Sequence, residues 1–287
     1  MGIHDRRNAP QLFPGQYSWV EFEQARRTWW AVVILDRFVS IGVDNSHFAS
    51  KNPKPEELLP VAEDAWERGE TVVAPSLAVT ADTSFGASVF ARTCQASHVL
   101  SLVLSHIHSD SVPEDRSVYY QDALRLHRVV AAFHVFLFEE AMNRNPIELA
   151  TQSSALGICS SALVALCYAH SCAEFDDPAG QGTTEQLSMQ KVSIEGLHQF
   201  APIMCEFATK LTMALQSNEP GTVADAFVAQ SFYASARLCF WYSKETGGPE
   251  YISYANILKG ALHTISQRLR VATEYLCILE RDIVKLL

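Results

Sequence analysis

Residues Glu21-Phe22-Glu23-Gln24-Ala25-Arg26-Arg27-Thr28-Trp29-Trp30-Ala31-Val32-Val33-Ile34-Leu35-Asp36-Arg37 decide how this chain reads. They set two acids, two arginines, two tryptophans and a closing Asp-Arg pair on one predicted helix. Ser18-Trp19-Val20-Glu21 in front of it fits a capping box, in which side chains satisfy the orphan backbone donors of a helix start. Phe22, Arg26, Trp29, Trp30, Val33 and Arg37 recur at helical spacing, so the apolar face also carries charge. Burying an arginine or a carboxylate is unfavourable unless each finds a partner. Glu23 can reach Arg26 or Arg27 three or four residues on, Asp36 can take an arginine, and a guanidinium can lie on an indole face. The same residues also suit an amphipathic core helix whose arginine heads reach solvent.

Outward from this block the pattern is helical. Residues 43–83 are the exception, rich in Pro, Asp, Glu, Asn and Ser, and read as a long irregular loop with one short turn around 63–67. Apolar residues near a 3.6 period then predict helices over about 85–108, 116–143, 147–172, 184–216, 222–244, 250–265 and 267–285. The third of these is apolar nearly all round and should be central. Pro202 should kink or split the fourth. With no strand-like alternation and no internal repeat, the predicted class is all-α, an irregular multi-helix bundle. It forms one domain over 1–287, divided into a signature-helix region (1–42), the long loop (43–83) and a helical core (84–287).

Composition bounds the function. The chain of 287 residues is 48% apolar and 19% charged, with 22 basic against 32 acidic side chains and a formal charge of −10. Basic residues are thin and scattered, which argues against direct DNA binding. No long uncharged run of apolar residues suggests a membrane span. The seven cysteines, Cys94, Cys159, Cys167, Cys172, Cys205, Cys239 and Cys277, show no Cys-x-x-Cys spacing and read as buried free thiols.

The opening block resembles the E-x-x-R-R-x-W-W-x-x-x-x-L-D-R signature of the regulatory middle homology region in fungal zinc-cluster transcription factors. Four further segments are similar to that family in the same order: Met1–Asp5, Leu58–Glu70, Phe90–Leu100 and Leu269–Glu280. The family's Gly-Arg-Pro turn is replaced here by Gly42-Val43-Asp44-Asn45-Ser46-His47. The resemblance implies an all-helical regulatory domain acting in the nucleus through protein partners or self-association, without catalysis and with a small-molecule effector as an option. It makes Glu23, Arg26, Arg27, Trp29, Trp30, Asp36 and Arg37 structural signature residues. Zinc would belong to the family's DNA-binding head, which these residues do not include, and no cofactor is expected.

Three other patterns bear on chemistry. His106-Ile107-His108-Ser109-Asp110 spells His-x-His-x-Asp, but side chains two apart on a helix do not face each other, so two helix-end histidines are expected. Asp176-Asp177 would serve a magnesium-dependent enzyme of the terpene cyclase type, yet Pro178 and the nearby glycines place it in a loop. Aromatic clusters around Phe133 and Trp241 read mostly as core; a helical small-molecule sensor would place Trp30, Phe133 or Trp241 in its pocket wall. No catalytic or metal-binding residue is assigned.

Overall fold

The computed structural model describes residues 18–42, 48–77, 87–108, 116–172, 182–217, 220 and 222–286. Among these residues the chain is all-α, with ten helices and no strand. The segments Met1–Asp5, Gly42–His47 beyond Gly42, and Asp110 and Asp176-Asp177 named above lie outside the described residues.

α1 (Trp19–Val39) starts as its sequence requires. The Ser18 side chain accepts the Glu21 N–H, and the Glu21 carboxylate accepts the Ser18 N–H in return. Of the expected stripe, Trp29, Trp30, Val33 and Arg37 are buried, while Phe22 and Arg26 are only half-buried. Glu23 and Ile34 complete the inward face, Glu23 with its charge met by two arginines.

The expected long loop is partly built. Its middle turns into α2 (Glu63–Glu67), and Leu58 pairs with Ser76 across a single antiparallel bridge. Leu59, Val61, Ala65 and Leu77 are buried, so residues 48–77 form a strap packed down on the helices.

The remaining elements are α3 (Val89–Ile107), α4 (Arg116–Met142), α5 (Pro146–Thr151), α6 (Ser154–Ser171), α7 (Thr184–Gln216), α8 (Ala226–Thr246), α9 (Pro249–Ser266) and α10 (Arg270–Leu286). α6 is the centre, packed by α3, α4, α7 and α8. Outside it, α8 and α9 pack together and α10 closes on both, while α1 rests on α3. α6 has the length and composition of a membrane-crossing helix, yet 78% of it is buried inside the protein. Its role as core helix follows directly.

Two helix expectations are corrected. The predicted helix 147–172 is broken into α5 and α6 at Gln152 and Ser153. Its second half is positioned by α8. Ser154 hydrogen-bonds to Asp225, the residue whose side chain caps α8 by accepting the Val228 N–H at 3.0 Å. One turn later, Gly157 lies so close to α8 that a Cβ there would stand 2.9 Å from the Phe227 and Val228 backbones. The second correction concerns Pro202, which does not split α7. The proline removes one backbone bond, a cost of ~3 kcal/mol in a helix interior. Phe200, Ala201, Met204 and Phe207, all buried around it, pack this part of α7 into the core.

The α8–α9 corner follows its sequence. Gly247 adopts the left-handed conformation (φ +69°) that glycine tolerates, and Pro249 begins the next helix. All seven cysteines are free, but Cys172 and Cys277 are exposed, contrary to the expectation of buried thiols.

Candidate functional site

Two features stand out: an ionic and aromatic clasp on α1, and a large cleft beside its C-terminal end. The clasp begins at Glu23, which is 1% exposed. One carboxylate oxygen pairs with Arg26. The other accepts Arg27 Nε at 3.1 Å and the Val61 N–H at 2.9 Å. Arg27 also donates to the Val61 carbonyl at 2.6 Å, and its guanidinium lies over the Trp66 ring, 4.4 Å from the centroid. Trp30 is fully buried, donates its indole N–H to the Leu58 carbonyl at 3.0 Å and meets Trp29 edge-on at 4.9 Å. The strap is therefore fastened to α1 through both charge and indole.

Arg37 makes the second fastening. It is fully buried, and Nε donates to Ser101 on α3 at 2.8 Å. Nη1 pairs with Asp36 and with Ser50 Oγ at 2.8 Å. Nη2 serves the carbonyls of Ser50 and Lys51, each at 3.2 Å, and Asn52 Oδ1 at 3.0 Å. Phe48 covers its plane at 3.8 Å. Burial lowers the Arg37 pKa, and the Asp36 charge opposes that shift. Burial pushes the Asp36 carboxyl upward. The Ser50 hydroxyl, the Ser50 and Ala49 amides and the Arg37 charge together outweigh this, so it ends below its ordinary value. Donors and acceptors of the pair are satisfied by the protein itself, the condition under which buried charge is tolerated. Glu23, Arg27, Trp30 and Arg37 thus fasten α1 to residues 48–77, and Arg37 also to α3.

The cleft is about 970 Å³ and lies between the C-terminal end of α1, the end of α3, and α6, α8 and α10. Helical periodicity aims two stripes into it. Ser161, Val164, Ala165 and Tyr168 come from α6, and Gln230, Tyr233, Arg237 and Trp241 come from α8. A shallower groove of about 620 Å³ lies on the other flank of α1, along Ala31, Ile34 and Leu35.

Of the three candidate wall residues, only Trp241 lines the large cleft. Trp30 is committed to the strap. Phe133, buried on α4 and stacked at 6.3 Å on Phe136, belongs to the core on the opposite side of α6. Sequence reasoning missed Gln230 and Ser161, polar residues whose value arises only when α6 and α8 are brought side by side. It also missed Arg92, buried on α3, with its guanidinium 4.6 Å over Phe136 and its Nε 3.6 Å from Glu140 on α4.

The His-x-His pair sits at the end of α3. His106 stacks on Tyr119 at 4.3 Å and lies 5.4 Å from His170. Burial lowers both imidazole pKa values, that of His170 to about 4. Among the described residues, no group of three or more His, Cys, Asp or Glu side chains is placed to hold a metal ion. Compared with known proteins, the chain matches no protein-family model, no curated protein and no solved structure.

Proposed function

We propose that this chain is a transcription-regulatory domain of the fungal zinc-cluster factor type, which reads a small effector in the α6–α8 cleft and acts through protein contacts. The likeness of Glu23, Arg26, Arg27, Trp29, Trp30, Asp36 and Arg37 to that family's signature supports the class. The observation that carries the reading is the cleft itself. Its volume of about 970 Å³ lies at the large end of the range for small-molecule sites, and its wall is apolar with a few polar groups.

Placement supplies a mechanism. Phe38, Val39 and Ile41 at the end of α1 line the cleft, so an occupant touches the signature helix directly. Away from the cleft α1 exposes Val32 and Leu35, at 51% and 57%. A ligand that favours one seating of α1 shifts the population presenting that apolar face to a protein partner. DNA contact would come from another module, given the charge of −10, and the nucleus would be the site of action.

The test is to tether the chain to an unrelated DNA-binding module above a reporter in a fungal host. Output should differ by about fivefold or more from the module alone, the lower end of ordinary allosteric coupling, and should change again in Trp241→Ala. Output equal to that of the module alone, with the fusion expressed and folded, refutes the transcriptional role. The same cleft favours one alternative, a helical sensor outside transcription, which would bind ligand while leaving the reporter silent.

A further inference from the structure

We infer that the α6–α8 cleft takes a rigid, largely apolar monocarboxylate with an oxygen acceptor at its far end, Arg237 holding the acid and the Gln230 amide the acceptor. The inference deepens the effector reading above and rests on it.

The inner polar point is Gln230, 8% exposed among apolar neighbours. Its Oε1 faces the Ser161 hydroxyl, whose one hydrogen is shared between Gln230 and the Gly157 carbonyl at 3.0 Å. Its amide nitrogen, with two N–H groups to place, has no protein partner among the described residues. That nitrogen opens on the cleft, where an oxygen of a ligand can take the place of water as its acceptor.

The outer polar point is Arg237, exposed at the rim two turns along the same face of α8. Its guanidinium lies 5.9 Å from the Tyr168 ring centroid and has no ion pair among the described residues. Seven residues at the helical rise put the two points about 10 Å apart. Between them the wall is largely apolar, with Tyr233 stacked on Tyr275 at 5.1 Å; one turn beyond Arg237, Trp241 meets Tyr168 edge-on at 6.2 Å. Ala165 and Ala234 leave room for rings. Asp282, 3.4 Å from the Tyr233 hydroxyl, also lines the cleft. Its charge disfavours a second acid group on the ligand, hence a monocarboxylate.

Calorimetric titration with a steroid keto acid (ketone at one end of the fused rings, carboxylate at the other) tests this directly. Its methyl ester, its deoxo analogue and the matching amine serve as comparison ligands. The acid should bind at least tenfold more tightly than ester or amine. Arg237→Gln should remove that advantage and leave the ester unchanged, while Arg237→Lys should restore part of it. Gln230→Leu should weaken the keto acid and spare the deoxo analogue. Acid and ester binding alike, the amine binding best, or Arg237→Gln weakening all ligands equally would overturn the inference and leave the effector cleft standing. No binding by any of the four would sink the effector cleft as well. Circular dichroism confirms that each variant is folded before titration.

Discussion

At the scale of single residues, Glu23 is the organising group. Its carboxylate answers two arginines and a backbone amide of the strap while being almost wholly withdrawn from water. Glu23→Ala leaves the Val61 N–H and two guanidinium groups facing a vacated space. The loss should be about 3 kcal/mol, the range seen when one partner of a buried pair is removed. Glu23→Gln, which keeps an acceptor for Val61, should lose clearly less. Chemical denaturation of the three proteins measures the difference.

How much of this was legible before folding is clear residue by residue. The Glu23–Arg26 and Glu23–Arg27 pairs follow from spacing of three and four on a helix. The Ser18–Glu21 capping box follows from local pattern in the same way. Ser101 and Asn52 around Arg37 do not, because they lie 64 and 15 residues away and are unremarkable in type. The cleft shows the same division. Trp241 announces itself as an aromatic on a helix face, whereas Gln230 gains meaning only from Ser161, 69 residues earlier.

At the scale of elements, the decisive contact is the crossing of α6 and α8. Gly157 lets the two backbones approach, and the pairing of Ser154 with Asp225 fixes their register. The cleft opens further along the same two helices. Gly157→Ala puts a Cβ 2.9 Å from backbone atoms that cannot rotate away. It should destabilise by about 1–3 kcal/mol, the usual cost of overpacking. Gly260→Ala is the control, since it lies exposed within α9 with open space around it. It should stabilise by ~0.5–1 kcal/mol through helix propensity. Thermal melts of both variants should therefore move in opposite directions. The break between α5 and α6 belongs to this scale too. Residues 147–172 carry one continuous apolar pattern, and the interruption appears only when α8 must be accommodated.

At the scale of the whole molecule, burial of neutral histidines gives stability a pH dependence. His134 is fully buried, 3.0 Å from Ser160 Oγ, and burial lowers its pKa from 6.5 to about 4; His170 is lowered to about 4 as well. The folded-state values lie below the unfolded ones, so the unfolded chain binds more protons between them. Their contribution is fully present above about pH 6.5 and is lost as pH falls toward 4. For His134 alone the loss is on the order of 3 kcal/mol. Denaturation between pH 7.5 and 5 should show stability falling with acid, and His134→Gln should flatten that slope.

The central claim is that the charged and indole-bearing face of α1 is a clasp holding residues 48–77 in place. Amide hydrogen exchange at Val61 and Ser50, whose N–H groups bond to Glu23 and Asp36, tests it most directly. The account predicts slow exchange at both in the native protein, with Glu23→Ala releasing Val61 far more than Ser50 and Asp36→Ala doing the reverse. Rapid exchange at both amides in the unaltered chain would contradict it.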